Sequence, residues 1–297
     1  MLLVTGITGH TGKYFLQELI NNKYEGPIRC IVRKTSDTSL LDSSGLNIEK
    51  VIGDLDNPKF IDSVMDDIKT VMHIYNIHHS PMIVQAAIDK KVDRVVLVHT
   101  TGIYSEFKNA SERYKEVEKE INELKDISNS KINITILRPS MIYGDLCDKN
   151  MSKFIKMVDK LKIIPVISGG KGLIQPVNAR DLGSAFYTVL VSPEKTIGKA
   201  YELSGEKPIK MIDTFKLISK ELNKKTIYLS IPLSIGVLGA KVVKVLTVGK
   251  IDYIERVQRM GEDRSYSHSE ATKDFGYNPI SLEKGIQIEV REYLKEK

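Results

Sequence analysis

The run LLVTGITGHTGKY, residues 2–14, decides how the rest of the chain is read. Leu2, Leu3, Val4 and Thr5 carry no charge and suit a short strand buried on both faces. They lead directly into Gly6, Gly9 and Gly12, and a helical pattern with Phe15, Leu16, Leu19 and Ile20 on one side follows at once. Glycines at this spacing permit a tight turn, let backbone approach a pyrophosphate and allow close packing of helix on strand. Phosphates would then sit at the positive end of the helix. Three glycines alone say little; buried strand, glycine loop and amphipathic helix together point to a dinucleotide site built from Gly6, Thr8, Gly9, His10, Thr11 and Gly12.

The same texture continues outward. Apolar runs at 28–32 (IRCIV), 48–52 (IEKVI), 70–75 (TVMHIY), 94–99 (RVVLVH) and 134–139 (ITILRP) alternate with one-sided helical patterns such as Val84, Ala87 and Ile88. The expected fold class is α/β: a Rossmann-type doubly wound parallel sheet of buried strands flanked by helices, with a smaller C-terminal lobe. The texture changes after Gly144. A helix over about 150–162 sets Met151, Phe154, Ile155, Val158 and Leu161 against a lysine face. A short strand near 173–177 and a helix opening near Asp181 follow, and then YELSG (201–205), a helix over 211–223, IYLSIP (227–232) and a final helix after Pro279. The division expected is 1–146 with 173–203 for the dinucleotide-binding domain, and 147–172 with 204–297 for the substrate lobe.

At 297 residues, 41% hydrophobic and 28% charged, without repeat or low-complexity tract, the chain reads as a folded globular protein able to bury a large core. Cys30 and Cys147 match no metal spacing and cannot form a disulfide framework, and residues 1–14 lack the basic start and apolar run of an export signal, so a cytoplasmic setting is expected. The most apolar late stretch, 232–249, contains Lys241 and Lys244 and reads as an amphipathic helix; no membrane partner is expected. The net charge of +6 is unevenly placed: residues 1–150 hold 19 basic and 21 acidic residues, residues 151–297 hold 25 and 17. A basic second half without tryptophan suits a small anionic substrate better than nucleic acid.

The spacing TGxxGxxG at 5–12 resembles that of the short-chain dehydrogenase/reductase superfamily, in its extended epimerase/dehydratase branch. Gly53-Asp54-Leu55 resembles the adenine-contacting GDxxD segment, and His73-Ile74-Tyr75-Asn76 stands where the family has cofactor-side residues. Residues 138–144, Arg138-Pro139-Ser140-Met141-Ile142-Tyr143-Gly144, are similar to RPxxxYG, those from Gln175 to Asp181 to hVxDva, and Gly276-Tyr277-Asn278-Pro279 to the closing GyxP. The resemblance implies cofactor contacts from Asp54, Leu55, Tyr75 and Pro139, and leaves room for a homodimer. An acid at the end of the second strand would hold the NAD ribose, whereas an arginine accommodates the NADP phosphate; here that position is Arg33, so NADP is favoured over NAD, with Asp37 nearby as the competing acid.

The superfamily's usual chemistry is hydride transfer aided by a Ser/Thr, a Tyr and a Lys four residues after the Tyr. A phenol with a pKa of about 10 needs a nearby ammonium to act as a base. Thr100 fits the hydroxyl position and Tyr114 the phenol, but four residues on stands Glu118, which would raise a phenol's pKa. Lys115 and Lys119 lie roughly 100° and 140° round the helix from Tyr114. The literal Tyr104/Lys108 match comes too soon after the fifth strand. Two classes therefore remain: an NADP-dependent oxidoreductase, epimerase or dehydratase using Thr100 and Tyr114, Tyr75 or a group from the small lobe; or a cofactor-binding protein without turnover, resembling NmrA-like redox sensors or structural members of respiratory complexes. Arg256, Arg259 and Arg264 are candidates for an anionic substrate or for a solvated helix face, and the histidines show no metal spacing.

Overall fold

The computed structural model describes residues 1–107, 109–127, 131–148 and 150–297. Strands β1 (Leu2–Thr5), β2 (Ile28–Val32), β3 (Ile48–Ile52), β4 (Thr70–His73), β5 (Arg94–Val98) and β6 (Asn133–Pro139) alternate with helices α1 (Gly12–Asn21), α2 (Ser39–Asp42), α3 (Pro58–Val64), α4 (Ser80–Asp89) and α5 (Ser111–Ile127). In the second half come β7 (Ile142–Tyr143), α6 (Met151–Lys160), β8 (Ile163–Ile167), β9 (Leu173–Ile174), β10 (Val177–Asn178), α7 (Ala179–Val191), α8 (Pro193–Thr196) and β11 (Ala200–Leu203). The chain closes with β12 (Ile209–Lys210), α9 (Met211–Glu221), β13 (Ile227–Ile231), α10 (Leu233–Leu246), α11 (Ile254–Arg259), α12 (Ser269–Phe275) and α13 (Leu282–Glu296).

The main sheet is a seven-stranded parallel sheet in the order β11-β6-β5-β4-β1-β2-β3, as the doubly wound reading expects. Chain order reverses between β1 and β4, which opens a crevice at their carboxyl ends, directly below the glycine loop. His73 ties these two strand ends together: it lies 2.7 Å from the Thr5 hydroxyl through Nδ1 and 2.9 Å from the Asn76 carbonyl through Nε2. Burial pushes its pKa down to about 3, so the ring is neutral, donating to Asn76 and accepting from Thr5.

Two expectations change. β3 is an edge strand, not a buried one, and Ile52 is exposed there. The YELSG run, inside the dinucleotide-binding division expected to reach 203, supplies β11, which pairs with β6 and buries Tyr201 and Leu203. The strand expected at 173–177 splits into β9 and β10, which pair with different partners.

Among the described residues, apolar side chains pack in three places. One core lies between the sheet and α1 and α7, where Gly183 lets α7 close on Tyr14; an added Cβ would sit 2.6 Å from the Tyr14 backbone. A second lies between the sheet and α3, α4 and α5. A third, around Met151, Ile155, Ile164, Val166, Phe215, Ile218 and Ile286, belongs to the second half. There Glu289 of α13, wholly buried, accepts a hydrogen bond from the Gly144 amide at 3.1 Å.

Burial raises the Glu289 pKa to about 10, and Asp148 beside it adds to the shift. The folded chain thus holds a proton that a carboxyl of ordinary pKa 4.5 would release. Stability from this site is lost as pH rises from 4.5 toward 10, by up to about 1.4 kcal/mol per unit. Glu289→Gln keeps the shape and removes the titration. Its melting temperature is expected to gain on the parent's steadily between pH 5 and pH 9. A difference independent of pH would contradict a protonated Glu289.

Candidate active site

The glycine loop is shaped by contacts that a side chain would block. Gly6 has φ +75°, and a Cβ there would lie 2.8 Å from the Tyr75 amide nitrogen. A Cβ on Gly12 would lie 2.1 Å from the Gly6 carbonyl oxygen. Thr11 makes no side-chain cap on α1, and the first turn of the helix holds no acid of its own.

Gly6, Thr8, Gly9, Arg33, Asp54, Leu55 and Tyr75, seven of the residues expected to hold the cofactor, line one groove of about 130 Å³ at this loop. His10 does not join them. Its Nε2 lies 3.0 Å from Asp145, which also pairs with Lys13 and accepts the Tyr14 hydroxyl at 3.0 Å. Burial would raise the Asp145 pKa, but bonds and charges from His10 and Lys13 outweigh it and hold the carboxyl well below the usual range. Asp145 thus fastens the start of α1 to the loop after β7. Pro139 is buried at the end of β6, where its carbonyl accepts from Thr101 at 3.3 Å.

The competing acid is occupied elsewhere. Asp37 accepts the Ser39 amide at 3.0 Å and the Ser39 hydroxyl at 2.6 Å, while Arg33 and Ser36 line the groove. At the outer end of that groove the chain presents a cation rather than a carboxylate.

Beyond the carboxyl ends of β5 and β6 a cavity of about 300 Å³ holds Thr100, Thr101, Ser140 and Tyr266. Thr100 accepts the Gly102 amide at 3.0 Å. Arg259 and Arg264 line the same cavity and also an adjoining one of about 380 Å³ that reaches Lys153 and Arg256. The Nε atoms of Arg259 and Arg264 are buried and find no hydrogen-bond partner among the described residues. Glu255 and Glu262 approach Arg259 only to 3.9 Å. Burial, then the charge of Arg259, lowers the pKa of Arg264. Two such guanidinium groups, with buried Nε atoms that make no hydrogen bond and only long ion pairs to Glu255 and Glu262, favour an anion between them.

Tyr266 was not foreseen from the sequence, because no local pattern marks it. Burial, with Glu262 adding, raises its phenol pKa; the Thr101 hydroxyl, Arg264 and Arg259 pull the other way. Tyr114 is absent from the lining of the cavity that holds Thr100, and its ring lies 5.5 Å from that of His78. Burial is the main cause of its raised pKa.

Glu118, in the place of the superfamily's lysine, is the centre of a charge network. Arg138 donates to it through Nη2 at 2.6 Å and Nε at 2.9 Å, and through Nη1 to Glu202 at 3.1 Å. Burial would raise the Glu118 pKa, but Arg138 and His99 overcome that and bring it to about 2. His99, kept neutral mainly by burial, spans Glu118 at 2.9 Å and Ser80 at 3.1 Å. This Ser80–His99–Glu118 chain has the order of a hydrolytic triad, yet Ser80 is fully buried and no substrate can reach it. Tyr104 donates to Glu202 at 2.6 Å; Lys108 lies outside the described residues.

A model of the NAD(P)H-binding family matches residues 6–158, more than half of the chain. The chain belongs to that family. Its fold is that of the extended short-chain dehydrogenase/reductases, as the motifs imply. The UDP-glucuronic acid 4-epimerase from Bacillus cereus, solved with UDP-glucuronic acid and NAD, superposes with a TM-score of 0.74 at 18% identity, over 100% of this chain and 99% of the other. The dTDP-glucose 4,6-dehydratase DesIV from Streptomyces venezuelae, solved with NAD, gives 0.74 at 17%, over 99% and 97%. The UDP-glucose 4-epimerase from Thermotoga maritima gives 0.75 at 14%, over 99% of each chain. No curated protein matches in sequence. Among the described residues no cluster of His, Cys, Asp or Glu could hold a metal, and no helix is long and apolar enough to cross a membrane.

Proposed function

We propose that the protein is an NADP(H)-dependent oxidoreductase, epimerase or dehydratase acting on a nucleotide sugar or similar small anionic metabolite in the cytoplasm. Arg259 and Arg264 carry this reading: their buried, unpartnered Nε atoms share one cavity with Thr100 and Tyr266. The dinucleotide lies along Gly6, Thr8, Gly9, Thr11 and Gly12, with Asp54, Leu55 and Tyr75 toward adenosine, Arg33 at the 2′-phosphate, and His10 and Pro139 supporting the loop and the nicotinamide end. Residues 1–146 and 173–203 form the dinucleotide-binding domain; 147–172 and 204–297 form the lobe that brings the arginines.

Proton transfer falls to Thr100 and a phenol. Of the two candidates, Tyr266 shares the cavity with Thr100, whereas Tyr114 faces His78 and has Glu118 rather than an ammonium one turn away. Tyr266→Phe is expected to lower kcat about a hundredfold with NADPH affinity unchanged. Tyr114→Phe is expected to keep most turnover. The reverse pattern would return the role to Tyr114.

The second reading, an NADP(H)-binding sensor without turnover, is favoured by one observation: Glu118 at the usual lysine position is committed to Arg138. Titration with NADPH and NADH, read by nicotinamide fluorescence and followed by a turnover search with UDP- and dTDP-sugars, separates the two. NADPH binding with slow turnover supports the enzyme, NADPH binding with none supports the sensor, and no binding of either nucleotide overturns both.

A further inference from the structure

We propose that α10 and the outer face of the β8–β13 ribbon dock the protein onto an anionic lipid surface. The inference stands apart from the chemistry of the cleft. Side chains alternate along a strand, so Ile163, Pro165 and Ile167 of β8 share one face with Ile227, Leu229 and Ile231 of β13. The opposite face, with Ile164 and Val166, is buried in the third core. On the outer face Ile163 is paired with Ile227, and Pro165 with Leu229, and all four are exposed. At the far end of that face Ile167 meets α10: a Cβ on Gly236 would lie 2.5 Å from Ile167 Cδ1. Ribbon and helix therefore form one apolar surface.

The helix itself protrudes. Only Ala240 of α10 is buried, and every residue from 241 to 246 is exposed. At about 100° per residue, Val242, Val243, Val245 and Leu246 fall on one side of the helix, and Lys241 and Lys244 on the other. Val245, Leu246 and Val248 are 76%, 78% and 88% exposed. An apolar face set opposite a lysine face is the pattern of a helix that lies in the boundary layer of a bilayer. Fourteen residues make about 21 Å of helix, short of the ~30 Å hydrocarbon core, so the helix enters the interface without spanning.

Charge selects the surface. Residues 222–251 contain no Asp or Glu and five lysines, Lys224, Lys225, Lys241, Lys244 and Lys250. Asp159 and Asp252 pair with Lys224 and Lys244. No ion pair involves Lys225, Lys241 or Lys250 among the described residues, and all three are exposed. An apolar face flanked by lysines, in a stretch of sequence without Asp or Glu, complements anionic headgroups. The proposal departs from the expectation of no membrane partner, because only the fold reveals the apolar residues of this surface as unburied.

The test is flotation of the full chain with phosphatidylcholine vesicles and with vesicles of mixed phosphatidylcholine and phosphatidylglycerol. The bound fraction on the mixed vesicles is expected to exceed that on phosphatidylcholine at least about tenfold at low salt and to fall as salt rises. Val245→Ser with Leu246→Ser, and separately Lys241→Ser with Lys250→Ser, should each abolish the excess while leaving the melting temperature and NADPH titration unchanged. No flotation, equal flotation on both vesicles, or variants that float like the parent would overturn the proposal. So would a concentration-dependent dimer in gel filtration that the Val245/Leu246 variant dissociates, which assigns the surface to a second copy of the chain.

Discussion

Glu118→Ala is expected to destabilise the protein by about 3–5 kcal/mol, seen as a fall in Tm of roughly 10 °C. Its two oxygens take both strong bonds from Arg138, and the two side chains are only 12% and 13% exposed. Removing the carboxylate leaves a buried guanidinium with Glu202 alone, which also serves Tyr104. Restoring the superfamily's lysine would do worse, since Glu118→Lys sets an ammonium against Arg138 beside His99. The pH dependence has a definite sign. The Glu118 pKa is depressed from 4.5 to about 2, so the pair contributes fully above pH 4.5 and its contribution is lost as pH falls toward 2. Chemical denaturation of parent and Glu118→Ala at pH 7 and at pH 2.5 checks both statements. A variant within about 0.5 kcal/mol of the parent at pH 7 would place the pair in the class of solvated surface bridges.

Arg33→Ala is expected to weaken NADPH binding about tenfold to a hundredfold while moving NADH by less than about threefold. A charge-assisted bond to the 2′-phosphate exists only with NADPH, so the ratio of the two affinities isolates it. Because Arg33 is exposed, the loss should grow smaller as salt is raised. Equal weakening of both nucleotides would mean that Arg33 acts through stacking on adenine. NADH binding tighter than NADPH in the parent would remove the argument altogether, and Asp37, now spent on Ser39, would have to turn into the groove.

The first half was legible because its signals are local. Five of the six strands up to Pro139 are short, largely apolar runs, the loop at 6–12 has a steric requirement at Gly6 and Gly12, and the longer helices show their buried side by periodicity. The errors have a common cause. Ile52 at the sheet edge and the split of the 173–177 strand between two partners depend on strand pairing, which local pattern does not contain. The apolar stretch at 232–249 announces a helix, yet nothing in its sequence says that the rest of the chain leaves most of it uncovered.

From its sequence alone this protein was determined to be an α/β dinucleotide binder with an arginine where a ribose-binding acid would stand, because neighbouring residues suffice to form a strand, a glycine turn and a helix end. The tertiary structure alone decided what surrounds the reacting centre. It draws Tyr266 to Thr101 across 165 positions of chain, sets Arg259 beside Arg264, and gives Glu118 to Arg138 instead of leaving it to Tyr114. Those pairings follow from which faces of sheet and lobe meet, and burial then makes each charge seek a partner that no spacing rule could name.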